Sequence, residues 1–282
     1  QQGRVRRLSL CAHSEMTVAR PHATRLLRIA VLGTGRAGRA RARAIGASAE
    51  CELVAAEPMR GGAQSTSLGR EDVDAVIIST ENSRHYDLAH AALLAGKHVA
   101  VEFPLCATHQ EACALFDAAE KAERVLHVEV ISLLSHGFQR FRAAHRTMRE
   151  QAMPSVMTST FTGGSYRWVA DEVAAGRLGQ LAVGRLHVVR ALCGALSLVS
   201  ARAERRGGAG YALRVELVSD STRVVLNETR GEDMDRSWLC HVEAAGEQRA
   251  VPPVEGGGGL LGGLLRLLGR RATGQRLTPR AV

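Results

Sequence analysis

The sequence predicts an α/β chain in two parts, a doubly wound parallel sheet followed by an α+β domain with a largely antiparallel sheet. Three observations carry this. Strand-like and helix-like runs alternate from Arg28 onward; the first strand and first helix are joined by Gly33-Thr34-Gly35-Arg36-Ala37-Gly38; and beyond residue 195 four strand-like runs follow with no helix between them. Alternation with crossover helices is how a parallel sheet is written, whereas consecutive strands joined by short turns form an antiparallel meander. At 282 residues the chain is long enough for two domains, each with its own core.

Taken in order, Arg28–Leu32, Leu53–Glu57, Ala75–Ser79, His98–Glu102 and Val125–Val130 are short apolar runs that read as strands. Between them Ala37–Ile45, Ser83–Ala95 and Thr108–Ala122 read as helices. The last shows Ala112, Leu115, Phe116 and Ala119 at three-to-four spacing, and Gly96 stands where a helix C-terminal glycine belongs. This Rossmann half is expected over 28–131.

A second domain is expected over 132–255. It begins with a helical stretch at 133–150, a strand Ser155–Phe161 and helical segments near 166–176 and 179–192. Strands Leu196–Glu204, Tyr211–Val218, Arg223–Glu228 and Trp238–Ala244 follow as a meander. Residues 1–27 are expected to be a leader or disordered. Within them, arginine-rich residues 1–15 read either as a transit peptide or as leader sequence ahead of Met16. Residues 256–282 open on four glycines, a costly start to any element, and are expected to be weakly helical or poorly ordered.

Composition narrows the function classes. Hydrophobic residues at 45% and charged residues at 23% are ordinary for a soluble globular protein. The net charge of +9 sits at the ends, with +5 in residues 1–28, +5 in 256–282 and −1 between. A nucleic-acid groove needs cations along a folded face, and single strands need aromatic stacking partners; neither is visible, so no nucleic-acid partner is expected. Six cysteines without C-x-x-C spacing suggest neither zinc nor a disulfide framework, and fit a reducing, cytoplasmic compartment. No apolar run approaches the roughly 20 residues that span a bilayer. A monomer without metal or membrane anchor is the expectation.

The Gly33–Gly38 loop has the form G-x-G-x-x-G, in which each glycine has a steric role. The first allows a tight turn, the second a close approach of backbone to pyrophosphate, and the third helix–strand packing. The helix N-terminus then faces the phosphates. Thr34, Arg36 and Ala37 line the same loop. Glu57, 19 residues past Gly38, ends the second strand, where a carboxylate accepts from a ribose 2′-hydroxyl and favours NADH. Arg36 and Arg60 argue for NADPH, since either guanidinium suits a 2′-phosphate. Ser79, Thr80 and His85 lie at the exit of the third strand as further cofactor-edge candidates, His85 alternatively capping the following helix. His127 and Glu129 are weaker candidates on the fifth strand, and Trp168 and Trp238 read either as flanks of a flat ligand or as packing.

Gly96-Lys97-His98-Val99-Ala100-Val101-Glu102-Phe103-Pro104 places polar groups at the carboxyl edge of the sheet, where ligands bind in open α/β folds. With the glycine loop and the domain order, this segment resembles the glucose-fructose oxidoreductase-like family of two-domain dehydrogenases, whose members usually carry Glu-Lys-Pro with lysine as general acid or base. Phe103 stands at the lysine position and cannot exchange a proton. The segment is more similar to the biliverdin reductase branch, with its Gly-Lys-His-Val-x-Val-Glu-Tyr-Pro pattern. The likeness continues at Val125–Val130, at Phe161-Thr162-Gly163-Gly164, and from Arg185-Leu186 to Gly194–Ala201. Departures are Phe103 for tyrosine, Val128 for one of two glutamates, Glu57–Arg60 in place of an arginine pair, and an unrecognisable C-terminal region, so the branch's zinc ligands are not carried over.

The resemblance implies reduction of the central methine bridge of a linear tetrapyrrole, biliverdin to bilirubin in heme catabolism, with NADPH or NADH giving hydride to the bridge carbon and a proton going to a pyrrole nitrogen. It further implies that Arg185 and Arg236 meet propionates or donate toward the pyrrole, with surface or structural ion pairing as the alternative for each. Glu102 orients the nicotinamide or a proton-relay water, or else pairs with Lys97, and Phe103 lines the catalytic position. Two other readings stay open: a sugar or cyclitol dehydrogenase with a different base, and a non-catalytic dinucleotide-binding regulatory relative.

Overall fold

A computed structural model describes residues 25–129, 133, 135–151, 153–164, 183–208 and 210–252, with Gly262 and Leu265 of the tail. The expectations for residues 1–24, for a helix at 166–176, for Trp168 and for most of the tail lie outside these. In the first domain β1 (Leu27–Leu32), α1 (Arg36–Gly46), β2 (Cys51–Glu57), β3 (Ala75–Ile78), α2 (His85–Leu94), β4 (His98–Val101), α3 (His109–Lys121) and β5 (Leu126–Val128) alternate as the sequence predicts. The five strands run parallel in the order β2-β1-β3-β4-β5. The order reverses between β1 and β3, which opens a crevice at their carboxyl ends.

The sheet is apolar on both faces, as a parallel sheet covered by helices must be. Ile29, Val31, Ala75 and Ile77 pack with Ile45 of α1, beside Leu265 of the tail. Ala30, Leu32, Val76 and Ile78 pack with Leu88 and Leu93 of α2 and Leu115 of α3. α3 begins with a capping box: Thr108 accepts from the Glu111 backbone and Glu111 reaches back to the Thr108 N–H. α2 ends at Gly96, whose φ of +71° is the left-handed turn expected there.

The second domain contains α4 (His136–Glu150), β6 (Ser155–Gly164), α5 (Val183–Cys193), β7 (Ser197–Arg206), β8 (Gly210–Val218), β9 (Thr222–Gly231), β10 (Ser237–Ala244) and β11 (Glu247–Ala250). Its sheet order is β11-β10-β6-β9-β8-β7. The meander holds only for β7, β8 and β9. β10 leaves β9 and pairs antiparallel with β6, from Ser237↔Thr162 to Ala244↔Ser155, while β6 and β9 run parallel. The ten-residue β6 is thus the central strand, alternating Met157, Ser159 and Phe161 inward with threonines outward. Met157, Val224 and Val242 meet Phe138 of α4 and Val188, Val189 and Leu192 of α5.

Candidate active site

The loop leaving β1 is built for close approach. Gly33 has φ +102°, and a Cβ on it would lie 2.3 Å from the Ser79 carbonyl oxygen at the exit of β3. A Cβ on Gly38 would lie 1.7 Å from the Gly33 carbonyl oxygen, so the first turn of α1 rests directly on the loop. A Cβ on Gly35 meets nothing within 4 Å. Gly35 is the N-cap of α1 without a capping side chain, and the first turn, Arg36-Ala37-Gly38, contains no acid. Free N–H groups, open space over Gly35 and the positive end of the helix dipole form an anion cradle that fits a pyrophosphate. Thr34 is half-buried, and its carbonyl takes a hydrogen bond from Arg39 at 3.0 Å. The buried Ser79 hydroxyl has no hydrogen-bond partner among the described residues, and Thr80 donates to the Glu81 carbonyl at 3.3 Å.

Glu57 adjoins this cradle, its carbonyl accepting from the Gly33 N–H at 2.8 Å. Its carboxylate, however, accepts from the Ser65 hydroxyl at 2.5 Å, the Thr66 hydroxyl at 2.6 Å, and the Ser67 hydroxyl and N–H at 2.8 and 3.0 Å. Burial works to raise its pKa; the four hydrogen bonds outweigh that and hold it below the ordinary value. Arg84 donates to the Met59 and Ala63 carbonyls, bracing the same loop, while Arg36 and Arg60 are exposed.

At the exits of β4 and β5 the sequence-based pairing of Glu102 with Lys97 gives way to another. Lys97 precedes β4 and donates to the Arg70 and Val73 carbonyls, with the whole strand between it and Glu102. Glu102 instead pairs with Arg41 of α1 at 2.8 Å, and Arg41 also reaches Glu129 at 3.4 Å. Glu129 is fully buried, with neither carboxyl oxygen hydrogen-bonded among the described residues. Burial, aided by Glu102 and opposed by Arg41, pushes it up to about 8. His85, expected at the cofactor edge, is fully buried, with Nδ1 2.6 Å from the Pro104 carbonyl and Nε2 3.3 Å from that of Thr80. Burial lowers its pKa, outweighing the two carbonyls that work to raise it, and the ring lies between the exits of β3 and β4.

Phe103 is the bridge to the second domain: a Cβ on Gly184 would lie 3.1 Å from its ring. The next residue, Arg185, pairs with buried Glu228 of β9. Glu228 also accepts from Arg230 at 2.7 Å and from the Tyr211 hydroxyl at 2.6 Å. Both guanidinium groups lie over the Phe161 ring, at 4.1 and 4.7 Å from its centroid. Burial works to raise the Glu228 pKa, but Arg185, Tyr211 and Arg230 hold it down. Glu102 and Phe103 thus stand together at the exit of β4, and Phe103 lies against Gly184, the residue before Arg185. Arg236 is exposed on the turn before β10 and forms no ion pair among the described residues. Trp238 packs in the core and donates to Ser159 at 3.0 Å, the packing alternative.

Arg41, Tyr211, Glu228 and Arg230 are not picked out by sequence. Glu228 and Arg230 share one face by strand alternation, a signal present in the sequence; nothing distinguishes Arg41 from the other arginines of α1.

A family profile described as an oxidoreductase family with an NAD-binding Rossmann fold, GFO/IDH/MocA, matches residues 27–130. Human biliverdin reductase A is 30% identical over 245 residues, covering 80% of this chain and 79% of that protein. The chain belongs to the GFO/IDH/MocA oxidoreductase family. Its first domain is therefore an NAD(P)-binding domain, as the cradle's geometry requires. Mouse biliverdin reductase A is 33% identical over 63% of this chain, a match spanning 62% of the mouse protein's length. A 1,5-anhydro-D-fructose reductase from Ensifer adhaerens is 31% identical over 67% of this chain and 48% of its own. Among solved structures, biliverdin reductase from Synechocystis sp. PCC 6803 with biliverdin and NADP+ shares the fold at TM-score 0.69 and 19% identity, over 89% of this chain and 92% of that one. GenD2 from gentamicin A biosynthesis, bound to NAD, does so at 0.70 and 20%, over 88% and 75%. Among the described residues no helix is long and apolar enough to cross a membrane.

Proposed function

We propose that this oxidoreductase is an NAD(P)H-dependent biliverdin reductase, reducing the central methine bridge of a linear tetrapyrrole. One observation carries the reading: no lysine is available as acid or base. The chain has two lysines, Lys97 and Lys121. Lys97 is buried on backbone carbonyls at the far end of β4, and Lys121 ends α3. Alcohol–ketone chemistry needs a proton-exchanging group beside the reacting carbon, and Phe103 cannot be one. Methine reduction asks for a hydride at the bridge carbon, a proton at a pyrrole nitrogen that solvent can supply, an apolar surface and cations for two propionates.

Bound NAD(P)H supplies the hydride. Phe103 gives a flat apolar wall at the sheet edge. Arg185 and Arg230 receive a propionate, and the Arg185 N–H groups donate to the pyrrole nitrogen, balancing the negative charge that the arriving hydride leaves on the tetrapyrrole until a proton from solvent reaches that nitrogen. Glu102, fixed by Arg41, orients the nicotinamide side. The likeness to both biliverdin reductases A supports the substrate class.

The test is direct: purified protein with biliverdin and either NADPH or NADH should yield a yellow product absorbing at shorter wavelength. Bound cofactor with no turnover from acidic to neutral pH would overturn the proposal. The likeness to the anhydrofructose reductase favours a second reading, a sugar or cyclitol dehydrogenase, which oxidation of a polyol panel with NAD or NADP would establish instead.

A further inference from the structure

We infer that Tyr211 and Glu228 are positioning residues for Arg185: the phenol fixes the carboxylate, and the carboxylate fixes the guanidinium that meets the substrate. The inference rests on the tetrapyrrole reading above. Its geometry is built into the second sheet. Phe161 of β6 and Glu228 of β9 are register partners, Tyr211 of β8 is paired with Arg230 of β9, and Arg230 lies two residues beyond Glu228. The four side chains therefore share one face of three neighbouring strands, the face on which Phe161, Tyr211 and Glu228 are buried. Arg185, near the start of α5, is laid onto this block: its Nη2 pairs with Glu228 Oε2, and its guanidinium lies 4.1 Å from the Phe161 ring centroid.

The two carboxylate oxygens are used differently. Oε1 accepts from the Tyr211 hydroxyl at 2.6 Å and from Arg230 Nε at 2.7 Å, both carried by the sheet, while Oε2 takes Arg185 of the helix. Among the described residues these are the titratable and charged groups that meet Glu228, one each from β8, β9 and α5. Such a block is a poor device for stability alone, because burying three charges costs more than packing apolar side chains of the same volume. It is a good device for holding a long side chain still. An arginine loses much rotamer freedom when it is fixed, and here the ring face and the ion pair set its plane and direction before a substrate arrives. Tyr211 also keeps the carboxylate charged. Without its hydroxyl, burial raises the Glu228 pKa, a proton breaks the ion pair as pH falls, and Arg185 is released.

The experiment is the pH profile of kcat/KM for biliverdin reduction at saturating coenzyme, from pH 5 to 8. Each variant is read as a ratio to wild-type protein at the same pH, so that titration of the substrate's own propionates cancels. Tyr211→Phe keeps the ring in its buried place. Its ratio should fall about tenfold from pH 8 to pH 5, since each pH unit below a carboxyl's pKa removes a factor of about ten of the ionised form. Glu228→Gln is uncharged at every pH, so its ratio should be low and flat. The double variant should lose nothing beyond Glu228→Gln, because Tyr211 acts only through that carboxylate. The Tyr211→Phe profile decides alone if Glu228→Gln does not fold. A Tyr211→Phe ratio that is the same at every pH, or a double variant that loses the product of the two single effects, would overturn the inference and leave the tetrapyrrole reading standing. Wild-type protein that binds coenzyme yet does not reduce biliverdin would overturn both.

Discussion

Glu129→Gln should make the protein more stable at alkaline pH and leave it nearly unchanged at acid pH. The buried carboxyl is held at about 8 against an ordinary 4.5. A carboxyl whose folded pKa exceeds its unfolded one binds more protons in the folded state, so stability falls as pH rises between the two values. The slope is about 1.4 kcal/mol per pH unit. Between pH 5 and 8 wild-type protein should therefore lose about 2–4 kcal/mol through this group, the lower figure applying where Arg41 is drawn closer as Glu129 ionises. Glutamine keeps the shape and cannot ionise. Urea unfolding at pH 5.5, 7 and 8.5 measures the difference, which should grow with pH in favour of the variant. A variant equally destabilised at every pH would show that Glu129 is an ionised partner of Arg41, and the reasoning would fail.

Three further outcomes follow from geometry already described, and a fourth from the amino end of β1. Gly38→Ala places a methyl 1.7 Å from backbone, which should cost about 1–3 kcal/mol or more in thermal unfolding. Gly35→Ala, whose methyl meets nothing, should leave stability within about 0.5 kcal/mol yet weaken dinucleotide binding in a calorimetric titration. Glu228→Gln removes the buried carboxylate that Arg185 and Arg230 share, a loss of about 3 kcal/mol, checked by the midpoint of chemical unfolding. Asp74, held at about 2 by Arg28 and Arg25 against the effect of burial, supplies stability that is present above pH 4 and lost as pH falls toward 2; Asp74→Asn should flatten acid unfolding there by about 2 kcal/mol.

The first domain is legible in the sequence because its signals are local. Glycine spacing, apolar runs and a capping residue act within a few residues of themselves, and the observed strands differ from the expected ones by one or two residues at their ends. Partner choice is not local. Nothing in Trp238–Ala244 says that it prefers β6 to β9, since both neighbours offer the same alternation, so the expected meander runs one strand too far. The site is legible in outline, through Gly33–Gly38, Glu102, Phe103 and Arg185. Its second layer is not, because Arg41, Glu228 and Arg230 acquire meaning only when helix, strand and sheet edge are brought together. Glu57 illustrates the remaining difficulty: its position is visible in the sequence, whereas its hydrogen-bond partners depend on how residues 58–67 fold back.

The placement of β6 has a consequence for biosynthesis. Both of its neighbours are made later, β9 after about 60 further residues and β10 after about 70. Until then a ten-residue strand has two bare edges, the kind of segment that recruits other chains. A ribosome stalled between residues 165 and 221 would therefore hold a finished dinucleotide domain beside an aggregation-prone strand, and chaperone contacts on nascent chains should concentrate in that window.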